Sequence, residues 1–553
     1  MMGKGDTPRH PLFQSSWPHR DSRPNSGEIR GRIRMYCPHG GAAVRCPGRI
    51  PNGLLSTRVL WLGSLDLPRT ERTAVKSLHG LQPEKPAHST SDMADFSRIP
   101  ERRRDDRPKP LRELRDWLKE QYFQSRLHVR RIGFRQSRQW QWDARGFLTH
   151  TTGRFFNVVG VRYVSLAQGT PRTQPIIDQS EIGLLCFLVC RENGAWWILG
   201  HAKVEPGNVN GAQLAPTVQA TRSNYEVVHG GADTPYLSLA QSVESPLCDQ
   251  LQSEQNSRFL AKRNCNRVVR LPRRVEELDA RFRWLRAGAL LALLGDSHLV
   301  NTDARSVLAC WLFTDPSALR ECLAGKHAWA ARLADSLTSA QAVHATDAIE
   351  EWLETLNRTW KTDTQIIALR SLEAPWRCRD WEISSPDDPS LMIYQVAVDC
   401  VGREVTQWDQ PIAGSRTRAC AVLLLGDWKG TLHLLLQGVL EAGNRDGFEL
   451  TTTVQAESCD RASPQEQRYL RLADASGRTV AHFENSEEGG RFDQCISEYR
   501  VVWVGPVQTE WEGPFHRWIS LSQFSSFLRR GSRITNELRS AVSSLLSLDH
   551  GCE

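Results

Sequence analysis

The segment from His201 to His229 brings together side chains suited to moving protons and steadying charge: Lys203, Glu205, Tyr225 and His229. A carboxylate or imidazole takes up a proton, a phenol donates one or hydrogen-bonds a developing oxyanion, and an ammonium stabilises negative charge. Glu205 and His229 are the two candidates for a base, Tyr225 for a proton donor or oxyanion partner, and Lys203 for the cation. The competing reading is structural. In a strand His201 and Lys203 share one face, which simple solvation also explains, and Glu205 opens a Glu-Pro-Gly-Asn turn that it would brace. Arg222, Arg258 and Arg305 offer forked, charge-assisted hydrogen bonds of the kind phosphate accepts. Thr221, Ser223, Asn224 and Ser257 add shorter donors, and Trp140 a flat aromatic surface.

Such groups need a scaffold, and the strongest clue to it is an internal repeat. Gln174 to Ala220 aligns without a gap on Gln410 to Ala456, an offset of 236 that brings Glu205 onto Glu441, Gly207 onto Gly443 and Asn208 onto Asn444. Trp140 falls on Trp376, and SEQNSRF from Ser253 on SEEGGRF from Ser486, so that Arg258 and Arg491 correspond. Recurrence of these arginines fits ligand binding or a fold-bracing ion pair. A period this long means a duplicated module rather than a solenoid. Helices (Leu111 to Gln121, Ala348 to Thr359) precede apolar or alternating strands (Phe155 to Val164, Ile182 to Cys190, Trp196 to His201) in each copy. Closing helices are expected around Trp284 to Leu294 and Asp303 to Leu312. Strands bracketed by helices in this order predict an α+β fold with mixed sheets. The expected divisions are a first module at 113–312, a helical connector at 313–347 and a second module at 348–546.

The 553 residues are 40% hydrophobic and 24% charged, a globular composition that excludes wholesale disorder. The net charge of +7 invites a nucleic-acid reading, but residues 1–112 carry 21 Lys+Arg against 11 Asp+Glu, leaving 49 against 52 in the remainder. The body is slightly acidic, which argues against a nucleic-acid partner. Residues 1–92 lack helix or strand periodicity and are expected to be disordered or foreign to the mature protein, with the true start at Met93 and a basic linker over 93–112. Cys37, His39 and Cys46 have no regular metal-ligand spacing. No apolar run reaches the ~20 residues of a membrane span, and no signal peptide opens the chain, so a cytoplasmic protein with reduced thiols is expected.

HAKVEPGNVNGAQLAPTVQATRSNY from His201, with QPII at Gln174, TGRFF at Thr152, LQSEQNSRF at Leu251 and VNTDARSVLAC at Val300, resembles the NDP-hexose 2,3-dehydratases. REVTQWDQP from Arg403, GNRDGFEL from Gly443 and SEEGGRF from Ser486 extend the resemblance through the second copy, over roughly residues 110–546. It implies tandem Nudix-like modules joined by helices, assembled as a homodimer. The implied reaction removes the hydroxyl at carbon 2 and the proton at carbon 3 of dTDP-4-keto-6-deoxy-D-glucose, giving a dTDP-3,4-diketo-2,6-dideoxyglucose for deoxysugar and antibiotic glycoside biosynthesis. No redox cofactor or metal is implied, and a 3-ketoreductase would consume the unstable product. Under this resemblance Trp140 and Trp376 are candidates to stack on thymine. Thr221, Arg222, Ser223, Asn224, Ser257, Arg258, Arg305, Gly489, Gly490 and Arg491 are candidates to hold the nucleotide.

This chain departs from the family at His201, where Gln is usual, and at Asn256, where Gly is usual. In the second copy Val439 replaces a basic residue, Ala442 replaces the Pro of the turn, and ESCD from Glu457 stands in place of an Asn-Tyr pair. These departures carry the alternative reading, a degenerate nucleotide-sugar binder without catalysis. A pyrophosphohydrolase is disfavoured, because no run has the Gly, paired Glu and Arg-Glu spacing that would hold catalytic metals.

Overall fold

The computed structural model describes residues 109–548 apart from 165–168, 222–232, 243–244, 324–327, 361–362 and 404. The expectations for 1–92, and for all but the end of 93–112, lie outside the described residues. The fold is α+β with mixed sheets.

Gly183–Glu192 is apolar almost throughout and buried on both faces, as a central strand requires. It turns through Asn193 and Gly194, both at positive φ, into the antiparallel strand Ala195–Val204. Arg263–Leu271 runs parallel to the former and Phe282–Arg286 antiparallel to the latter, with Cys248–Ser253 beyond Arg263–Leu271. Two short strands, Ala212–Ala215 and Val218–Ala220, pair on the hairpin and complete seven strands.

A second seven-stranded sheet follows the same plan around Ala419–Trp428 and Thr431–Val439, joined through Lys429 and Gly430, again both at positive φ. The strand bounds keep the repeat's register: Pro171–Asp178 answers Gln407–Gly414, and Val218–Ala220 answers Val454–Ala456. Helix Thr302–Leu312 is capped by Asn301, whose side chain accepts from Ala304 N at 2.8 Å. Its counterpart Asn536–Ser543 is capped by Thr535 in the same way. These two helices pack together inside one apolar core that runs from Phe187 and Trp311 in the first half to Leu423 and Val542 in the second.

One expectation fails locally. Trp284 does not begin a helix but sits in strand Phe282–Arg286, and the helix starts at Ala287. Pairing with Ala195–Val204 claims Phe282–Arg286, whose three apolar and two basic residues alone read equally as helix.

Two smaller sheets are completed by exchanged strands. Trp140–Trp142, Leu148–His150, Asn157–Val164 and Pro171–Asp178 are joined at the edge by Gln365–Ile367, with Ile366 opposite Val161. Reciprocally, His128–Ile132 joins Met392–Asp399 in the sheet of the second half, with Arg130 opposite Ala397. The described residues accordingly belong to one compact unit.

Candidate active site

The exchange brings residues of both halves around a cavity of about 410 Å³. Ala195–Val204 ends at its rim, so Lys203 and Glu205 line one wall; Lys203 Nζ lies 3.1 Å from Glu205 Oε1 and 3.4 Å from Gln219 O. Glu205 is 3% exposed and its backbone C=O closes the turn to Asn208 N at 3.2 Å, while Asn208 Nδ2 reaches Lys203 O at 3.3 Å. The turn is therefore braced by its backbone and by Asn208, which leaves the Glu205 carboxylate for Lys203.

Gly207 is required by close approach. Its N–H donates to Gly489 O and its C=O accepts from Gln494 N, both at 2.9 Å, and a Cβ there would stand 1.7 Å from Phe492 O. This clamp carries Glu488, Gly490 and Arg491 of the second half into the cavity wall. Gln410 Nε2 holds Gly490 O at 2.7 Å, and Trp408 Nε1 holds Gln410 Oε1 at 2.8 Å. Arg491 lies over the Phe156 ring at 4.3 Å and donates to Gln179 Oε1 at 3.4 Å; burial lowers its pKa. Arg403 donates to Val204 O at 2.7 Å, and Lys262, which donates to Glu181 O, is lowered to about 8 by burial. Among the described residues Arg491, Arg403, Lys262 and Lys203 give the cavity four cationic groups.

Trp140, 5% exposed, packs against Phe156 at 4.5 Å and edge-on to His150 at 5.4 Å, with Nε1 bonded to Asp409 O at 2.9 Å. Burial holds the His150 imidazole below its usual range. Asp409 is engaged by Ser137 Oγ, Arg138 N and Gln395 Nε2. Asp303, in the first turn of Thr302–Leu312, also lines the cavity; it is 2% exposed, and burial together with the charges of Glu254 and Glu488 raises its pKa well above the usual carboxylate range.

Of the residues singled out from sequence, Lys203, Glu205, Trp140, Thr221, Gly490 and Arg491 line this cavity. Gly489 sits just behind it, where a Cβ would meet Asn208. Arg222, Ser223, Asn224, Tyr225 and His229 lie outside the described residues. Ser257, Arg258 and Trp376 do not line the cavity: Ser257 O accepts from Gln174 Nε2 at 2.8 Å, and the Arg258 charge acts on Glu441 of the second half. Arg305 is fully buried between the two capped helices, over the Phe483 ring at 4.2 Å and bonded to Val300 O at 3.2 Å and Ser543 Oγ at 3.3 Å. A guanidinium so enclosed braces the core rather than facing the cavity. The two departures lie elsewhere too: His201 stacks on Phe282 at 4.3 Å, and Asn256 Nδ2 bonds Glu449 at 3.0 Å. Sequence reasoning gave no role to Asp303, Lys262, Arg403, Trp408 or Glu488, although four of them sit in motifs already quoted, VNTDAR, REVTQWDQP and SEEGGRF. Among the described residues no group of three His, Cys, Asp or Glu side chains is placed to hold a metal ion, and no helix is long and apolar enough to cross a membrane.

The family model for NDP-hexose 2,3-dehydratase matches this chain twice, at residues 111–311 and 346–545. A dTDP-4-dehydro-6-deoxy-alpha-D-glucopyranose 2,3-dehydratase of Saccharopolyspora spinosa is 34% identical over 79% of this chain and 92% of its own. Enzymes of the same name are similar in Streptomyces violaceoruber, at 32% over 79% and 97%, and in Amycolatopsis orientalis, at 29% over 78% and 89%. A solved ADP compounds hydrolase resembles 24% of this chain and 69% of that one, at 13% identity and a TM-score of 0.15. With both halves matched in order and relatives of this identity spanning most of its length, the chain belongs to the NDP-hexose 2,3-dehydratase family.

Proposed function

We propose that the cavity is the active site of a hydro-lyase that converts dTDP-4-keto-6-deoxy-D-glucose to a dTDP-3,4-diketo-2,6-dideoxyglucose. The observation that carries this reading is one cavity in which the Lys203–Glu205 pair meets Arg491, Arg403 and Lys262. A carbon-3 proton beside a carbon-4 ketone is already acidified, so elimination through an enolate needs no hydride carrier. Glu205 or His229 takes that proton, Lys203 stabilises charge on the ketone oxygen, and Tyr225 is a candidate partner for the same oxygen. Arg491 and Arg403 suit a diphosphate through paired guanidinium donors, and Trp140, in the cavity lining, is the candidate surface for the base. With the His201 and Asn256 departures outside the cavity lining, nothing among the described residues of this site favours a non-catalytic binder.

The two halves are read as Nudix-like modules at 113–312 and 348–546 with a connector at 313–347. A cytoplasmic homodimer supplying a 3-ketoreductase in deoxysugar and antibiotic biosynthesis completes the reading. Incubation of the full chain with dTDP-4-keto-6-deoxy-D-glucose, with and without such a reductase, tests it. Substrate consumption with water loss is expected, trapped as a 2,6-dideoxy sugar when the reductase is present; binding without consumption sinks it.

A further inference from the structure

Hydroxide is a poor leaving group, so the elimination needs a second proton-transfer residue besides the base. Among the described residues four carboxyls line the cavity: Glu205, Asp303, Asp409 and Glu488. Glu205 is tied to Lys203 at 3.1 Å, and Asp409 accepts from three donors of the surrounding frame. Glu488 is only half-buried. Asp303 is buried like Glu205, at 2% exposed, but its carboxyl has no hydrogen bond or salt bridge among the described residues. Burial without a donor, beside the charges of Glu254, Glu488 and Glu205, favours the protonated acid over the carboxylate, an effect the Lys203 charge only partly opposes. Helix Thr302–Leu312, capped by Asn301 and packed on Asn536–Ser543, fixes its position.

We propose that Asp303 is the general acid that protonates the hydroxyl leaving sugar carbon 2. The base removes the carbon-3 proton, and the electron pair of that C–H bond passes into the enolate. As the pair forms the C2–C3 double bond, the C2–O bond breaks and the Asp303 proton goes to the departing oxygen. Water leaves, Asp303 remains as a carboxylate, and the protonated base returns its proton through solvent. The enol then tautomerises to the diketo sugar. The assignment rests on the dehydratase reading above.

The test compares Asp303→Asn with wild type on the natural substrate and on its 2-deoxy-2-fluoro analogue, since fluoride departs without a proton. On the natural substrate D303N is expected to lose roughly 10²- to 10⁴-fold in kcat with KM little changed. On the fluoro analogue its fluoride release stays within about a few-fold of wild type, and exchange of the carbon-3 hydrogen in deuterated water persists. Asp303→Glu, which retains an acid, recovers part of the natural turnover, and Asp303→Ser gives the same comparison should D303N not fold. Wild-type turnover by D303N, or an equal loss on both substrates, overturns the assignment. Failure of the wild type on both substrates counts instead against the dehydratase reading.

Discussion

Glu205 and Glu441 occupy corresponding places in the two halves, yet their surroundings have diverged. Glu205 has Lys203 at 3.1 Å; the position answering Lys203 is Val439. Glu441 instead accepts from Gln455 Nε2 at 2.9 Å, and burial with the nearby Glu449 charge raises its pKa to about 7. The frame around them is the same. Gln410 holds Gly490 O as Gln174 holds Ser257 O, at 2.7 and 2.8 Å. Gly443, like Gly207, is clamped by the other half, donating to Asn256 O at 2.8 Å and accepting from Ala261 N at 2.9 Å. Much of what the halves share is thus framework, and the proposed chemistry lies where they differ.

The shared clamp gives the largest expected effect. A Cβ at Gly443 would stand 1.8 Å from Phe259 O, as one at Gly207 meets Phe492 O, so Gly207→Ala and Gly443→Ala should each cost about 3 kcal/mol or more. Chemical unfolding of both variants checks this; a loss confined to one half breaks the equivalence. The carboxylates should part company. E205Q is expected to lose roughly 10²-fold or more in kcat while E441Q stays within about three-fold, and H229N assayed alongside distinguishes the two candidate bases. Equal losses in E205Q and E441Q would show that the second region also takes part in turnover.

The smallest effect concerns pH. The folded Glu441 holds a proton at a pH where the unfolded chain has released it, so its stabilising contribution is present below the unfolded value and fades as pH rises toward 7. E441Q, which cannot ionise, should gain in melting temperature relative to wild type on going from about pH 5 to about pH 8. A constant difference across that range contradicts the raised pKa.

The duplication was legible because strands such as Pro171–Asp178 and Gln407–Gly414 keep one spacing, and a period of that length survives substitution of individual residues. Lys203 and Glu205 were legible as well, through residue type beside a turn. The partnership between that wall and Trp408, Glu488 and Arg491 was not, since it depends on contacts more than two hundred residues apart that no local pattern encodes. Arg305 misled for a physical reason: in sequence an arginine signals phosphate, and only burial against Phe483 shows that its donors are spent on the core. His128–Ile132 and Gln365–Ile367 escaped because strands of five and three residues carry too little alternation to be seen.

Those two strands also set an order of events during synthesis. His128–Ile132 leaves the ribosome long before Met392–Asp399, and the edge of Asn157–Val164 stays bare until Gln365–Ile367 has been made. Contacts so distant in sequence are slow to form, and an unpaired edge invites pairing with other chains. A half-length fragment would carry one orphan strand and one open edge, so its expected fate is association with its own kind rather than weakened catalysis.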